Sequence, residues 1–308
     1  MKALVTGGAG FIGSHLVEQL VAFNHEVHVF DNLSVGNIGN VNQTAQLHRY
    51  DIRSEEAKRW IQEEKPDVIF HLAAQADVGI SIHEPVFDAD VNINGTINLL
   101  EASRVAGVKK FIFSSTSAVY GDLEKEKINE KDPAIPKSYY GASKLSAELY
   151  IHIFSQLYQL PFTILRYGNV YGPRQTAKGE GGVIAVFLEK LKAGQSLNIH
   201  GDGEQTRDFI FVKDIVLANL AAVEQGDRGV FNISTGKATS INEIIEKLID
   251  IHGEKVAINY TVERTGDIKH SCLMNEKAKK TLSWSPQVSV LKGLEETYQS
   301  VMSCNGGK

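Results

Sequence analysis

The first half of the chain alternates short, wholly apolar runs with longer stretches whose apolar residues recur every three or four positions. The apolar runs predict buried strands, and the helical spacing predicts helices that cover them. The predicted strands span residues 3–6, 26–30, 67–72, 110–114 and 162–166, and the main predicted helices span residues 13–23, 94–106 and 141–158. This alternation is typical of a doubly wound α/β fold, in which ligands bind at the carboxyl ends of the strands of a parallel sheet.

The pattern becomes irregular after Gly168, where loops that contain glycine and proline separate short elements. An amphipathic helix is predicted at 183–192. A helix at 215–224 followed by a strand at 230–233 suggests that the stretch 214–235 folds back onto the main sheet. We therefore predict a cofactor-binding domain at 1–168 and a smaller, substrate-binding α/β lobe at 169–308.

Composition narrows the class of protein. Hydrophobic residues make up 43% and charged residues 22% of the 308 positions, which is ordinary for a globular protein, and the net charge of -5 gives no basic surface for nucleic acid or anionic lipid. No apolar run approaches the roughly 20 residues of a membrane span. The two cysteines, Cys272 and Cys304, fit a reducing compartment and have no zinc-site spacing. We expect a cytoplasmic protein without a bound metal.

Three glycines, Gly7, Gly10 and Gly13, lie where the first predicted strand gives way to the first helix. Such a turn needs glycine for its backbone angles and for the close approach of a diphosphate, which the helix N-terminus then binds through its N–H groups. Asp31 ends the second strand, where a carboxylate can bind the ribose hydroxyls of NAD and repel the 2′-phosphate of NADP. A glycine-rich turn beside a surface aspartate is the alternative, but the complete strand–turn–helix–strand order predicts a Rossmann-type NAD site.

Tyr140 and Lys144 are spaced four residues apart in a predicted helix, so they share one face of it. A free tyrosine, with a pKa near ~10, is a poor base at neutral pH, but a neighbouring cation and a positive nicotinamide ring favour the phenolate. Alone, this pair is as consistent with two surface residues on an amphipathic helix. Behind a dinucleotide-binding turn, it predicts a catalytic base for hydride chemistry.

With these residues in view, the chain resembles the extended short-chain dehydrogenases/reductases, and among them the UDP-sugar 4-epimerases. The similarity covers nearly the full length, and it rests on the order and spacing of several segments together. They are GGAGFIG at 7–13, DNLS at 31–34, HLAA at 71–74, SSTSAVYG at 114–121, YGASK at 140–144, RYGNVYG at 166–172, GDG at 201–203, RD at 207–208 and RTGD at 264–267.

The resemblance implies a role for each matching residue. Thr116 corresponds to the family's catalytic serine or threonine, which bonds the sugar 4-OH and relays its proton to Tyr140, while Lys144 also holds the nicotinamide ribose. The remaining cofactor contacts implied are Phe11, Ile12, Asn32, Asp51, Ile52, Leu72, Ala73, Ala74, Ser114 and Tyr167. The substrate contacts implied are Ser117, Asn169, Val183, Arg207, Arg264, Asp267 and Ser271, with the two arginines on the diphosphate.

The reaction implied by the resemblance is the removal of a hydride and a proton at C4 of a UDP-sugar, which gives a 4-keto sugar. The related 4,6-dehydratases and decarboxylases carry acidic residues just after the catalytic threonine, where this chain has Ser117 and Ala118. Neither side chain can act as a carboxylic acid or base, which favours return of the hydride and so epimerisation. A 4-keto reductase and a non-catalytic dinucleotide-sensing protein remain alternatives, although the latter usually lacks the tyrosine or the lysine.

The sugar is indicated by Ser271, which lies four residues beyond Asp267. Some epimerases that act only on glucose and galactose have a bulky tyrosine there, so a serine predicts room for an N-acetyl group at C2. UDP-glucuronate stays possible if Arg174 or Lys269 can meet its carboxylate. The chain departs from the family pattern at three positions, Thr265, Ala76 and Val91. The resemblance also implies a homodimer formed by helices such as 94–106 and 141–158.

Overall fold

The computed structural model describes residues 1–177, 182–263 and 268–303. Its strands are β1 (Lys2–Thr6), β2 (Glu26–Phe30), β3 (Gln46–His48), β4 (Val68–His71), β5 (Lys110–Thr116), β6 (Phe162–Tyr167), β7 (Asn169–Tyr171), β8 (Leu197–His200), β9 (Thr206–Arg207), β10 (Phe209–Phe211), β11 (Gly229–Ile233), β12 (Thr239–Ser240) and β13 (Ile258–Thr261). Its α-helices are α1 (Phe11–Ala22), α2 (Glu55–Glu64), α3 (Val78–His83), α4 (Pro85–Ala89), α5 (Gly95–Ala106), α6 (Tyr139–Tyr158), α7 (Val183–Lys192), α8 (Val212–Glu224), α9 (Ile241–His252), α10 (Glu276–Thr281) and α11 (Val290–Ser303).

A seven-stranded parallel sheet forms the centre of the molecule, in the order β11-β6-β5-β4-β1-β2-β3. The strand order reverses direction on either side of β1, which opens a crevice at the carboxyl ends of β1 and β4. Strand β11 pairs in parallel with β6, from Gly229 opposite Thr163 to Ile233 opposite Tyr167. The doubly wound Rossmann-type fold predicted from the alternation of apolar runs and helical stretches is confirmed.

The sheet is buried on both faces because its strands are apolar at nearly every position. On one face, residues of α1 and α8 such as Leu16 and Ile215 pack against β1 and β2. On the other face, residues of α2, α5 and α6 such as Ile61, Leu99 and Ile151 pack against β4 and β5. Both cores therefore fix the positions of the strand ends, where the predicted site residues lie.

Four elements of the first half were not predicted: strand β3 and helices α2, α3 and α4. Strand β3 is only three residues long and carries two polar residues, so it has no apolar run to reveal it. Helix α2 is mostly charged and buries chiefly Ala57 and Ile61. Its start is nevertheless marked by Ser54, whose side chain accepts a hydrogen bond from the Ala57 N–H and caps the helix.

Beyond β6, a separate apolar cluster joins α7, α9 and α11 to strands β8 and β10, through residues such as Phe187, Leu248 and Leu294. Strand β10 pairs in parallel with β7, and β13 with β8. Helix α7 has the bounds predicted from its amphipathic pattern, Val183–Lys192. The division of the chain into domains at 1–168 and 169–308 stays a prediction. Among the described residues, no helix is long and apolar enough to cross a membrane.

Candidate active site

The glycine turn between β1 and α1 is packed too closely for side chains at two of its three predicted positions. Gly7 has a φ of +71°, and a Cβ on it would lie 2.8 Å from the Ala73 backbone nitrogen. A Cβ on Gly13 would lie 2.1 Å from the Gly7 carbonyl oxygen. The two glycines let the segment after β4 and the start of α1 pack closely around the turn.

Gly10 is the N-cap of α1 and, having no side chain, gives the helix no side-chain cap. The first N–H groups of a helix have no intrahelical partner, and they carry the positive end of the helix dipole. Phe11 and Ile12, both predicted cofactor contacts, are the first two residues of α1. The turn is therefore a cradle for a diphosphate.

Asp31 lies directly after β2, with its carboxylate against the glycine turn. One oxygen accepts a hydrogen bond from the Ala9 N–H at 2.9 Å, and the other accepts from the Leu33 N–H at 2.9 Å. Burial raises the pKa of Asp31, and these two backbone bonds lower it. The two N–H groups hold the carboxylate at the end of β2, and each of its oxygens keeps capacity to accept a ribose hydroxyl.

Asn32 and Asp51 were predicted to contact the cofactor, and the structure brings them together. The Asn32 amide donates to Asp51 at 3.0 Å, and Arg53 binds the same carboxylate through Nε and Nη2, each at 2.8 Å. These bonds hold the pKa of Asp51 at about 2, with the Arg53 hydrogen bond as the main cause. Ile52 is buried against Gly95. Asp51 is therefore an ionised and positioned acceptor.

Leu72, Ala73 and Ala74 follow β4 and pass over the end of β1. The Ala73 N–H donates to the Thr6 hydroxyl, and this hydroxyl bonds His71 Nδ1 at 2.8 Å. On its other side, His71 Nε2 bonds the Thr96 hydroxyl at 3.0 Å. Because Thr96 donates to the Asn92 carbonyl, His71 completes the chain as a neutral ring with its proton on Nε2.

Tyr140 and Lys144 lie in the first two turns of α6, which begins at Tyr139, two residues before the predicted start. Ser138 caps the helix by accepting from the Gly141 N–H. Lys144 is 2% exposed, and its Nζ lies 4.2 Å from the centre of the Phe113 ring on β5. The predicted catalytic pair therefore shares one helical face, on which the Lys144 cation packs against β5 and is almost wholly removed from water.

The start of α6 is also tied to the segment that follows β4. The Asn92 side chain donates to the Ser143 hydroxyl at 3.0 Å and to the Gln75 carbonyl at 2.8 Å, and it accepts from the Gln75 N–H. Asn92 belongs to a π-helical turn, Asp90–Asn94, that leads into α5. Sequence reasoning missed Asn92, because an asparagine in an apolar helical pattern gives no signal of a bond to another helix.

Thr116 is the last residue of β5 and the N-cap of a 3₁₀ turn, Ser117–Tyr120. Its hydroxyl oxygen accepts from the Ala118 N–H at 3.1 Å, which leaves the hydroxyl proton available to a second partner. The Ala118 carbonyl packs against Gly141, where a Cβ would lie 2.6 Å from the oxygen. The strand end that carries Thr116 is thus in contact with the helix turn that carries Tyr140.

Ser114 and Tyr167, both predicted cofactor contacts, are held on the α8 side of the sheet. The Tyr167 hydroxyl accepts from the Asn219 side chain at 2.8 Å, and the phenol is buried among core residues. Burial raises the pKa of Tyr167 to about 12, against smaller effects of hydrogen bonds from Asn219 and Ser114. The structure does not bring the Tyr167 side chain to the crevice; only the backbone of Tyr167 lies at the strand end.

The predicted substrate contacts of the second half converge on the buried Asp208. Its backbone carbonyl accepts from the Asn169 N–H at 2.8 Å, and Arg207 precedes it on β9. Its carboxylate accepts from Thr235 through the N–H and the hydroxyl, from the Gly236 N–H, and from the Leu273 N–H two residues after Ser271. Burial raises the pKa of Asp208, and these bonds lower it. Asp208 therefore joins the segments that carry Asn169, Arg207 and Ser271, the first through its backbone carbonyl and the last through its carboxylate.

The other predicted substrate residues are less closely joined. Val183 is the first residue of α7 and packs against its apolar cluster, and Ser117 is half-buried in the 3₁₀ turn. Arg264 and Asp267 lie outside the described residues. Arg174, named as a cation for a glucuronate carboxylate, instead binds Glu18 at 2.5 Å and Ser14 at 3.1 Å.

Sequence reasoning missed a cavity of about 250 Å³ beside β8 and the segment before Ser271, lined by His200, Gly201, Asp202, Glu204, Gln205, Glu263, Ile268, Lys269 and His270. It also missed Asp208 as a structural centre, although the Arg-Asp pair at 207–208 was a signal. Among the described residues, no three His, Cys, Asp or Glu side chains form a group that could hold a metal ion.

Comparison with known proteins shows the family. A family model described as GDP-mannose 4,6 dehydratase matches residues 4–297. The chain is similar to a UDP-glucose 4-epimerase from Thermotoga maritima solved with UDP-glucose, at 46% identity over 99% of both chains and a TM-score of 0.96. The chain belongs to the extended short-chain dehydrogenase/reductase family, among the UDP-sugar 4-epimerases.

Two further structures of related epimerases contain other bound UDP-sugars. A UDP-N-acetylglucosamine 4-epimerase from Methanobrevibacter ruminantium, in complex with UDP-N-acetylmuramic acid, is 37% identical over 98% of both chains with a TM-score of 0.94. A UDP-glucuronic acid 4-epimerase from Bacillus cereus, in complex with UDP-glucuronic acid and NAD, is 34% identical over 99% of this chain and 100% of that chain with a TM-score of 0.90. The family is NAD-dependent, which confirms the predicted cofactor.

Proposed function

We propose that this protein is an NAD-dependent UDP-hexose 4-epimerase that acts on UDP-Glc/UDP-Gal and on UDP-GlcNAc/UDP-GalNAc. The observation that carries this proposal is the contact between Gly141 and the Ala118 carbonyl. It joins the helix turn of Tyr140 to the strand end of Thr116, in a turn whose next residues, Ser117 and Ala118, bear no acid.

Each of these residues has a separate role in the proposed reaction. The glycine turn and Asp31 bind NAD, which supplies a hydride acceptor and donor at C4 of the sugar. Thr116 bonds the 4-OH and passes its proton to Tyr140. The buried Lys144 stabilises the phenolate, because an unscreened cation lowers the pKa of a neighbouring phenol. After the 4-keto sugar turns over in the site, the same proton path runs in reverse.

Two features of the chain bear on the alternatives: the lack of an acid after Thr116 bears on the reaction, and the partner of Arg174 bears on the sugar. Dehydration or decarboxylation needs a further acid or base beside the sugar, and Ser117 and Ala118 supply neither. A 4-keto reductase consumes one reduced cofactor per product, whereas an epimerase regenerates its own. The bond of Arg174 to Glu18 also removes one cation that a glucuronate carboxylate would need.

The test is incubation of purified protein with UDP-Glc, UDP-GlcNAc and UDP-GlcA in separate reactions, without added cofactor. We expect 4-epimers of the first two and no oxidised or reduced by-product. Tyr140→Phe should bind NAD and fold normally while turnover falls by at least about 10³-fold, because the proton path is lost. Turnover only with added NAD(P)H would instead identify a reductase, and epimerisation of UDP-GlcA alone would overturn the proposed substrate.

We further propose a homodimer formed through α5 and α6. Four apolar side chains of α6 are exposed on one stripe of the helix at 41–66%: Leu149, Tyr150, Ile153 and Leu157. Exposed apolar stripes of this kind are typical of subunit interfaces. Wild type should elute at twice the monomer mass in light scattering, and Ile153→Lys with Leu157→Lys should elute as a monomer. A monomeric wild type would refute the dimer.

A further inference from the structure

The helix face that carries Tyr140 and Lys144 continues to Glu148, one turn further along α6. Glu148 forms an ion pair with Arg166 of β6, through Arg166 Nε to Oε1 at 3.0 Å and Arg166 Nη2 to Oε2 at 2.5 Å. The two residues are 2% and 7% exposed. This two-pronged geometry fixes both distance and orientation between the helix and the strand.

The ion pair contacts the chain on both sides of Thr116. Before it, the Ser115 hydroxyl donates to Glu148 Oε1. After it, the Arg166 guanidinium lies 4.8 Å from the centre of the ring of Tyr120, the last residue of the 3₁₀ turn. The Tyr120 hydroxyl is itself held by Asn232 of β11 at 2.7 Å. Thr116 therefore lies between two residues that are fixed to the same ion pair.

Stability alone does not account for such a pair. Removing two charges from water is costly, and apolar residues of similar volume often serve a protein core equally well. A pair of apolar residues does not fix the position of a helix along a strand, because apolar contacts have no preferred direction and tolerate sliding. The Glu148–Arg166 pair resists that sliding at the level of Thr116.

We propose that Glu148 and Arg166 are positioning residues, which hold Thr116 at a fixed place against the helix face of Tyr140 and Lys144. This inference rests on the proposed function, in which Thr116 relays the proton of the sugar 4-OH to Tyr140. Arg166 has a second effect, because its positive charge balances the negative charge of Glu148. Without Arg166, that negative charge would reduce the stabilising effect of the Lys144 cation on the Tyr140 phenolate.

The charged and titratable groups around the pair come from several elements. On α6, Lys144 and His152 lie one turn before and after Glu148, and the pKa of His152 is lowered by burial. Tyr120 faces the guanidinium, and Glu130 and Lys277 act on the same region at longer range. None of these replaces Arg166 as the direct partner of Glu148. Removing one member of the pair therefore leaves a net charge beside the catalytic face.

The experiment compares the holoenzyme with Glu148→Gln, Arg166→Gln and the double variant Glu148→Leu/Arg166→Met. We expect kcat of the double variant to fall about 10- to 100-fold, while KM and the melting temperature stay close to wild type, because a small misplacement of a reacting group is enough for such a loss. A surface ion pair, Lys58 with Glu101 at 2.6 Å, provides the matched control. Lys58→Met/Glu101→Leu should leave kcat unchanged.

The single variants test the charge balance. The pKa of the Tyr140 phenol, followed by ultraviolet difference absorption against the Tyr140→Phe protein, should fall in Glu148→Gln and rise in Arg166→Gln. Wild-type kcat in the double variant, or shifts of equal sign in the single variants, would overturn the proposal. Failure of wild type to epimerise any UDP-hexose would refute the proposed function. The phenol titration needs no turnover, so it would still test the effect of the ion pair on Tyr140.

Discussion

The carbonyl oxygen of Ala118 lies against the Cα of Gly141, so closely that an added methyl group would come within 2.6 Å of it. Both partners are backbone atoms next to residues with proposed catalytic roles: Gly141 follows Tyr140, and the N–H of Ala118 donates to Thr116. The distance between the proposed proton relay and the proposed base is therefore set by a main-chain contact that only glycine permits.

Gly141→Ala should lower kcat about 10- to 100-fold, because the 3₁₀ turn must move away from α6 and carry Thr116 with it. The better helix propensity of alanine, worth about 1 kcal/mol, will offset part of the packing strain, so the melting temperature should change little. Steady-state kinetics and thermal unfolding provide the measurement. Gly79→Ala on exposed α3, where an added Cβ would lie 3.0 Å from the side-chain oxygen of the capping Asp77, is the control and should retain wild-type kcat.

Asp31→Asn should weaken NAD binding about 10- to 100-fold, because a hydrogen bond to a charged group contributes roughly 1.5–3 kcal/mol. In wild type, the N–H groups of Ala9 and Leu33 each donate to an oxygen of Asp31. An amide would place an NH₂ donor against one of these two N–H groups. The ratio of NADP to NAD affinity should rise as the negative charge is lost. Titration calorimetry of cofactor-free protein measures both affinities, with surface Asp122→Asn as the control. An unchanged ratio would contradict the predicted ribose contact.

Ser271→Tyr should reduce kcat/KM for UDP-GlcNAc by at least about 10-fold more than for UDP-Glc, because a bulky ring fills the space assigned to the N-acetyl group. The Ser271 N–H donates to the Thr206 carbonyl at 3.2 Å, next to Arg207 on β9. Competition assays with both sugars give the ratio directly. Ser271→Ala should preserve it, and a wild type that turns over only UDP-Glc and UDP-Gal would refute the pocket argument.

Asp208→Asn should raise KM for the UDP-sugar more than it lowers kcat, because the carboxylate fixes the segments of Arg207 and Ser271 without reaching the C4 chemistry. An amide at either oxygen position leaves at least one of the backbone N–H groups that bind the Asp208 carboxylate unpaired, at a cost of about 1–3 kcal/mol of stability. Kinetics and urea unfolding test the two effects. Exposed Asp202→Asn is the control. A variant with normal KM would show that the substrate segments hold their positions without this carboxylate.

Stability should fall with decreasing pH through the buried His71. Burial, aided by Lys144, holds the pKa of His71 well below its ordinary value of 6.5. Below pH of about 6.5, the unfolded chain binds a proton that folded His71 does not, so the free energy of unfolding decreases by at most about 1.4 kcal/mol per pH unit from this group. His71→Gln should flatten the slope between pH 6.5 and 5 in urea unfolding, whereas exposed His83→Gln should not.

The sheet and the kind of chemistry follow from local patterns in the sequence. Apolar runs that are buried on both faces can only be central parallel strands, and glycine spacing and an acid at a strand end constrain a dinucleotide site through local geometry alone. Tyr140 and Lys144 share a helical face for the same local reason, a period of 3.6 residues. The short strand β3 and the charged helix α2 were not predicted because neither has an apolar run of its own.

Contacts between residues that are distant in the chain form only when the helices and strands pack together. Only folding brings Glu148 to Ser115 and Arg166, or makes Asp208 the common acceptor of the segments around Asn169 and Ser271. The packing also places the side chain of Tyr167 in the core and pairs Arg174 with Glu18. A sequence pattern reports which face of an element is buried, whereas the partner of a buried polar group depends on which elements meet there.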